Sequence, residues 1–266
     1  MQIMNNFNKI IYTICLAFIS ISFANAQNQT VVQNSTHVYG AKQSGSNTAY
    51  TGVNYTWSIT KADDSATTEG TEYSFAASTD KNSSNPQIKW LVAGNYKLTL
   101  TIENQTGSSC PRVITGIITV DANNMIGKWV ASSMDFCSNR DGLHPNANIE
   151  LIVGEGATTP VRTGNFPIKV VINHNTTNET FVLFDNQAAL DNAPDVIGET
   201  KVLCDATDKY KFNLPLAGFA VGNVGNGKTT SIVSIIDKYG TTATVANADI
   251  TVNVTETPVE PVIVFD

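Results

Sequence analysis

From Gln27 onward the chain alternates apolar and polar residues at period two, and nowhere sustains the spacing of an amphipathic helix. Tyr55, Trp57 and Ile59 alternate with Thr56, Ser58 and Thr60. Ile88 and Trp90 flank Lys89, and Tyr96, Leu98, Leu100 and Ile102 share one face of a segment whose other face is Lys97, Thr99 and Thr101. Successive side chains of a strand point to opposite faces, so each segment offers one face to a core and one to water. Thr, Asn, Ser and Val are abundant and only 15% of residues are charged, a composition that favours strands and turns over helices.

Short turns rich in Asn, Gly, Ser and Thr separate these runs, and residues 113–120 give a further strand after a turn signal at 104–109. Residues 121–124, Asp-Ala-Asn-Asn, read as a linker. Beyond them, residues 128–132, 148–153, 166–173, 180–184, 200–204, 210–216, 229–237 and 250–255 read as strands, with one helical turn at 187–190. The expected fold is all-β: two tandem immunoglobulin-like antiparallel β-sandwiches, at 27–121 and 122–256, following a cleaved signal peptide at 1–26. Residues 257–266 stand apart as an apolar strand or tail, in which Pro258 and Pro261 precede Val262, Ile263, Val264 and Phe265.

The signal peptide is read from Lys9 in a short polar start, an apolar stretch at 10–23, and Ala24-Asn25-Ala26 as small-residue cleavage site. The apolar stretch is shorter than the roughly 20 residues of a spanning helix, and no transmembrane segment is expected in the mature chain. A net charge of −7 without a basic block argues against nucleic acid and against anionic lipid. Cys110, Cys137 and Cys204 follow the cleavage site, and an oxidising compartment implies one disulfide. Cys137 with Cys204 is the expected pair, because both lie in the second half; spacing leaves pairing with Cys110 open. His37, His144 and His174 are scattered singly, so no metal site is expected.

Residues 222–229, Gly-Asn-Val-Gly-Asn-Gly-Lys-Thr, satisfy the phosphate-loop pattern. That loop must open a helix, whereas Thr229 to Ile236 is a β-branched run, so the expectation is a Gly/Asn hairpin joining 210–216 to 229–237 and no bound nucleotide. No serine sits in a nucleophile elbow, and Asp63, Asp64, Asp185, Asp191 and Asp195 lie among turn residues, so no catalytic residue and no cofactor are expected. A looser calcium site at 185–195 is the one cation arrangement left open. Trp57 and Trp90 fall on the apolar phase of their strands and read as core; Trp129 reads either as core or as an exposed sugar platform.

Residues 50–120 resemble the PKD and related immunoglobulin-like modules of surface proteins. The resemblance rests on Tyr55-Thr56-Trp57-Ser58-Ile59, Ile88-Lys89-Trp90, Ala93-Gly94-Asn95-Tyr96 and the strand that follows, with Gly107 and Cys110 beyond. It implies that Trp57 packs in the core and that the Gly-x-Tyr turn opens a late strand. Thr60-Lys61-Ala62-Asp63-Asp64 replaces the aromatic-Gly-Asp portion of the family, which makes this a divergent relative. The whole also resembles exported surface proteins of the Bacteroidota. The expected function is that of a non-enzymatic structural or interaction protein of the envelope or surface, serving adhesion or surface assembly. Its expected partners are other envelope or surface proteins, with Val262 to Phe265 as a candidate strand donor. The alternative is a carbohydrate-binding module assisting polysaccharide capture, with Trp129 as platform and glycans as partners.

Overall fold

A computed structural model describes residues 28–42, 49–77, 80–105, 111–137, 143–156, 158–174, 176–220 and 228–255. The expected signal peptide and the segment Val262 to Phe265 lie outside the described residues. The chain divides into two compact units between Ala122 and Asn123.

The first unit contains strands β1 (Gln29–Val32), β2 (Thr36–Val38), β3 (Val53–Lys61), β4 (Tyr73–Phe75), β5 (Gln87–Trp90), β6 (Gly94–Asn104) and β7 (Arg112–Asp121). They form a four-stranded sheet in the order β1-β7-β6-β3 and a three-stranded sheet in the order β2-β5-β4. Four strands against three, with the first strand running parallel to the last, is the seven-strand immunoglobulin arrangement.

Two further hallmarks of that arrangement are present. Trp57 on the third strand is buried, and its Nε1 donates to Ser83 O at 2.8 Å. Tyr96 heads the sixth strand fully buried, and its hydroxyl donates back to Val92 O at 2.9 Å, a tyrosine corner. Leu98, two residues on, takes the place where the second core cysteine of antibody domains stands. Cys110 is the single cysteine between residues 27 and 121, so this core closes without an internal disulfide. Aromatic packing does that work: Trp90 sits 5.1 Å from Tyr96 and 6.3 Å from Tyr39, ring centre to ring centre, and its Nε1 donates to Tyr39 Oη at 2.9 Å. The inward phase of β6 (Tyr96, Leu98, Leu100, Ile102) is the apolar face expected from sequence.

The second unit is larger. Its strands are β8 (Met125–Trp129), β9 (Ser133–Cys137), β10 (Leu143–Glu155), β11 (Thr159–Pro160), β12 (Ile168–His174), β13 (Thr177–Phe184), β14 (Glu199–Leu203), β15 (Lys211–Ala220), β16 (Lys228–Asp237), β17 (Thr244–Val245) and β18 (Asp249–Thr255). One sheet runs β11-β10-β8-β17 with β15 also on β10; the other runs β14-β13-β12-β16-β18-β9. Between them lies a continuous apolar core including Ile149, Leu151, Ile168, Val170, Phe181, Phe212, Leu214 and Ile235. The facing sheets approach so closely that a Cβ at Gly127 would stand 2.0 Å from Ile235 Cδ1, which explains a glycine in the middle of β8. The short helix α1 (Gln187–Asn192) is capped by Asn186, whose side chain accepts from Ala189 N at 2.8 Å.

One topological expectation is overturned. The segments on either side of residues 221–227 do not form a hairpin with each other: β15 pairs with β10 in one sheet, and β16 pairs with β12 and β18 in the other. The strands flanking the Gly/Asn-rich segment therefore belong to different sheets. Turn chemistry reports only local backbone freedom, whereas sheet membership depends on which distant strand buries each apolar face.

Candidate functional site

The residues singled out in the sequence do not converge. Trp129 is buried, at 1% exposure, and is no sugar platform. In β8 it shares the inward phase with Met125 and Gly127. Its Nε1 donates to Ala248 O at 2.9 Å, while Asn247, held at a positive φ of 49°, donates from Nδ2 to Trp129 O at 3.2 Å. The loop at 246–248 thus clasps the indole from its polar edge, and the alternation that places Trp129 inward leaves no face for a ligand.

The expected Cys137–Cys204 disulfide is also overturned, since both are free thiols. Cys137 ends β9 exposed, whereas Cys204 is buried and donates its thiol to Asp185 O at 3.2 Å. Burial pushes the Cys204 thiol up from its ordinary value, the direction that makes it inert. Sequence separation could not reveal that β9 and the segment after β14 lie at opposite ends of the six-stranded sheet's strand order.

Residues 228 onward form strand β16, not the helix that a phosphate loop requires. His37 and His174 lie in different units, each buried on a hydroxyl: His37 Nε2 is 2.9 Å from Ser35 Oγ, and His174 Nδ1 is 2.8 Å from Thr230 Oγ1. Asp63 accepts from the Ser65 hydroxyl and amide, and Asp195 pairs with Lys201, so both carboxyls are held below their ordinary range. Among the described residues no group of His, Cys, Asp and Glu is arranged to hold a metal ion, and residues 185–195 supply no such group.

One buried carboxylate was not anticipated. Asp237, at the end of β16, is 4% exposed and accepts from Asn165 Nδ2 (2.6 Å), Tyr239 N (2.9 Å) and Thr241 N (2.7 Å). Burial dominates those hydrogen bonds and raises its pKa. Tyr239 and Thr241 lie in the turn after β16 and Asn165 in the turn ahead of β12, so the carboxylate ties two loops together and its role is structural.

A shallow cavity of about 600 Å³ opens at one end of the smaller sheet of the second unit. Register builds it. Met125 lies opposite Glu155, Glu155 opposite Thr159, and Ile126 opposite Thr244. Asn123 braces the rim, its Nδ2 donating to Thr242 O at 2.8 Å and its Oδ1 accepting from Met125 N at 3.0 Å. Asn124 stands beside it, exposed, with its carbonyl accepting from Gly156 N. No sequence motif marks these residues, because they come from strand ends brought together by pairing.

No protein-family model and no curated protein matches the chain. Among solved structures, the chain is similar to the fibronectin(III)-like modules of Clostridium thermocellum CbhA, at 9% identity over 92% of this chain and 98% of that one, TM-score 0.35. It is similar also to the Dpr2 Ig1-Ig2 tandem solved with DIP-Theta, at 12% identity over 89% and 98%, TM-score 0.31. A third is Bacteroides ovatus SGBP-B, solved with a mixed-linkage heptasaccharide, at 14% identity over 86% of this chain and 44% of that one, TM-score 0.23. At these scores the likenesses carry no argument; strand order and the tyrosine corner carry the fold of the first unit, and two sheets around one apolar core carry that of the second. The chain is an all-β protein of two tandem immunoglobulin-like sandwiches.

Proposed function

We propose that the chain is an exported, non-enzymatic interaction protein of a bacterial cell envelope or surface, built from a divergent PKD-like module followed by a second sandwich. The observation that carries the reading is the assignment of the chemically distinctive side chains to architecture. Trp57, Trp90, Tyr96, Trp129, His174 and Asp237 are each buried and bonded to their own fold, which leaves binding surface rather than a reacting centre as the working part. Val262 to Phe265 serves as a strand that adds to a partner's sheet edge, where main-chain hydrogen bonds give affinity and alternate side chains give register. The test is deletion of everything after Thr257. The truncated protein is expected to fold with unchanged thermal stability and to lose its co-purifying envelope partner. Retention of that partner would remove the strand-donor role.

A second reading, glycan capture, is favoured by one observation: the cavity of mixed polar and apolar lining beside Asn124 and Glu155 in the second unit. It no longer involves Trp129.

A further inference from the structure

We infer that the cavity at the end of the second unit's smaller sheet is a binding site for a short segment of uncharged glycan. This deepens the glycan-capture reading and rests on it. The cavity's volume falls within the range of small-ligand sites.

The lining selects the ligand class by exclusion and then by fit. Asn124, Thr159 and Thr244 are exposed, and their side-chain amide and hydroxyls make no hydrogen bond among the described residues. Glu155 is half-buried and bridged to Arg162, Oε1 to Nε at 3.3 Å. An anionic ligand would meet that carboxylate on a chain of net charge −7, so phosphorylated or acidic ligands are disfavoured. A hard cation would find one carboxylate already paired, far short of the six or so oxygens that calcium takes. A wholly apolar ligand would dehydrate the amide and hydroxyls without replacing their hydrogen bonds.

A neutral polyhydroxylated ring satisfies all of these groups. Its hydroxyls donate to Glu155 and to the Asn124 side-chain oxygen, and accept from the Asn124 amide and the threonine hydroxyls. Half-buried Ile126 and the edge of Met125 supply apolar surface for the C–H face of the ring. The rows that set these side chains are fixed by strand register, so the site is preformed and binding orders little of the protein.

The test is titration of the isotopically labelled mature chain with hexasaccharides of β-1,4-glucose, β-1,3-glucose, β-1,4-xylose and β-1,4-mannose, followed by amide shifts. A hexamer of galacturonic acid is the charged control. The expected result is that at least one neutral hexamer shifts amides of residues 124–126, 155, 156, 159 and 244. Asn124→Ala and Thr244→Ala, both at exposed positions, then weaken that binding about tenfold each, with melting temperature unchanged. The inference is overturned if no neutral hexamer shifts these residues, if binding survives both substitutions together, or if the charged hexamer binds as well as the neutral ones. If the cavity fails while a crosslinked envelope protein is still recovered, only the glycan site is lost and the interaction-protein reading stands.

Discussion

The Tyr96 hydroxyl donates to the carbonyl of Val92, four residues upstream, at 2.9 Å, and so ties the strand β6 to the turn that feeds it. Lys61 approaches the same phenol, with Nζ 3.3 Å from the hydroxyl and 4.4 Å from the ring centre, and is itself paired with Glu72. Tyr96→Phe keeps the ring in the core and removes the hydroxyl. The expected cost is about 1 kcal/mol, read as a lower urea midpoint for the first unit. An unchanged midpoint would deny the corner its role.

Trp129 provides the sharpest distinction between scaffold and site. Trp129→Ala is expected to destabilise the second unit by about 3–5 kcal/mol, because it removes a fully buried indole from the core and leaves a cavity. Calorimetry of the isolated variant checks this. A variant that melts normally but loses glycan binding would restore the platform role that the structure takes away.

The buried Asp237 gives the second unit a pH signature. Its folded pKa is raised, so the folded state holds a proton that the unfolded state, with an aspartate value of about 3.9, has begun to release. Its favourable contribution is complete below that unfolded value and is lost as pH rises through the folded one. Stability of the native protein relative to Asp237→Asn is therefore expected to fall with rising pH across that window and to level off above it. Asp237→Ala is expected to destabilise at every pH, since it leaves the buried Asn165 and Thr241 donors without their acceptor at about 1–3 kcal/mol each. Urea titrations at stepped pH read both.

The cysteines make a chemical prediction. A thiol reagent is expected to label Cys137 in the native protein and Cys204 only after unfolding, since Cys204 is buried with a raised pKa. Peptide mapping without reductant is expected to find no Cys137–Cys204 link. Recovery of that link would contradict the strand order of the six-stranded sheet.

Much of the strand content was legible because period two is a local property. β3, β6 and β7 and most long strands of the second unit lie where alternation puts them. The three-residue strands β2 and β4 and the two-residue strands β11 and β17 carry too few residues to show a period. The partners of the strands flanking residues 221–227 are not legible, since Gly/Asn composition is compatible with both a hairpin and a crossover. Trp129 was ambiguous for a related reason: phase gives a side chain its face, but only the loop carrying Asn247 decides that the face is sealed. The cavity was invisible, because it draws on three separate stretches, at Asn124, at Glu155 with Thr159, and at Thr244, whose residues are individually ordinary.

The central claim is best tested by fractionating the native cells after crosslinking them intact, then sequencing the amino terminus of the recovered chain. The account predicts a mature chain beginning at Gln27, in the envelope or extracellular fraction, crosslinked to another envelope protein or to glycan. A full-length chain in the cytoplasm, with no crosslinked partner, would contradict it.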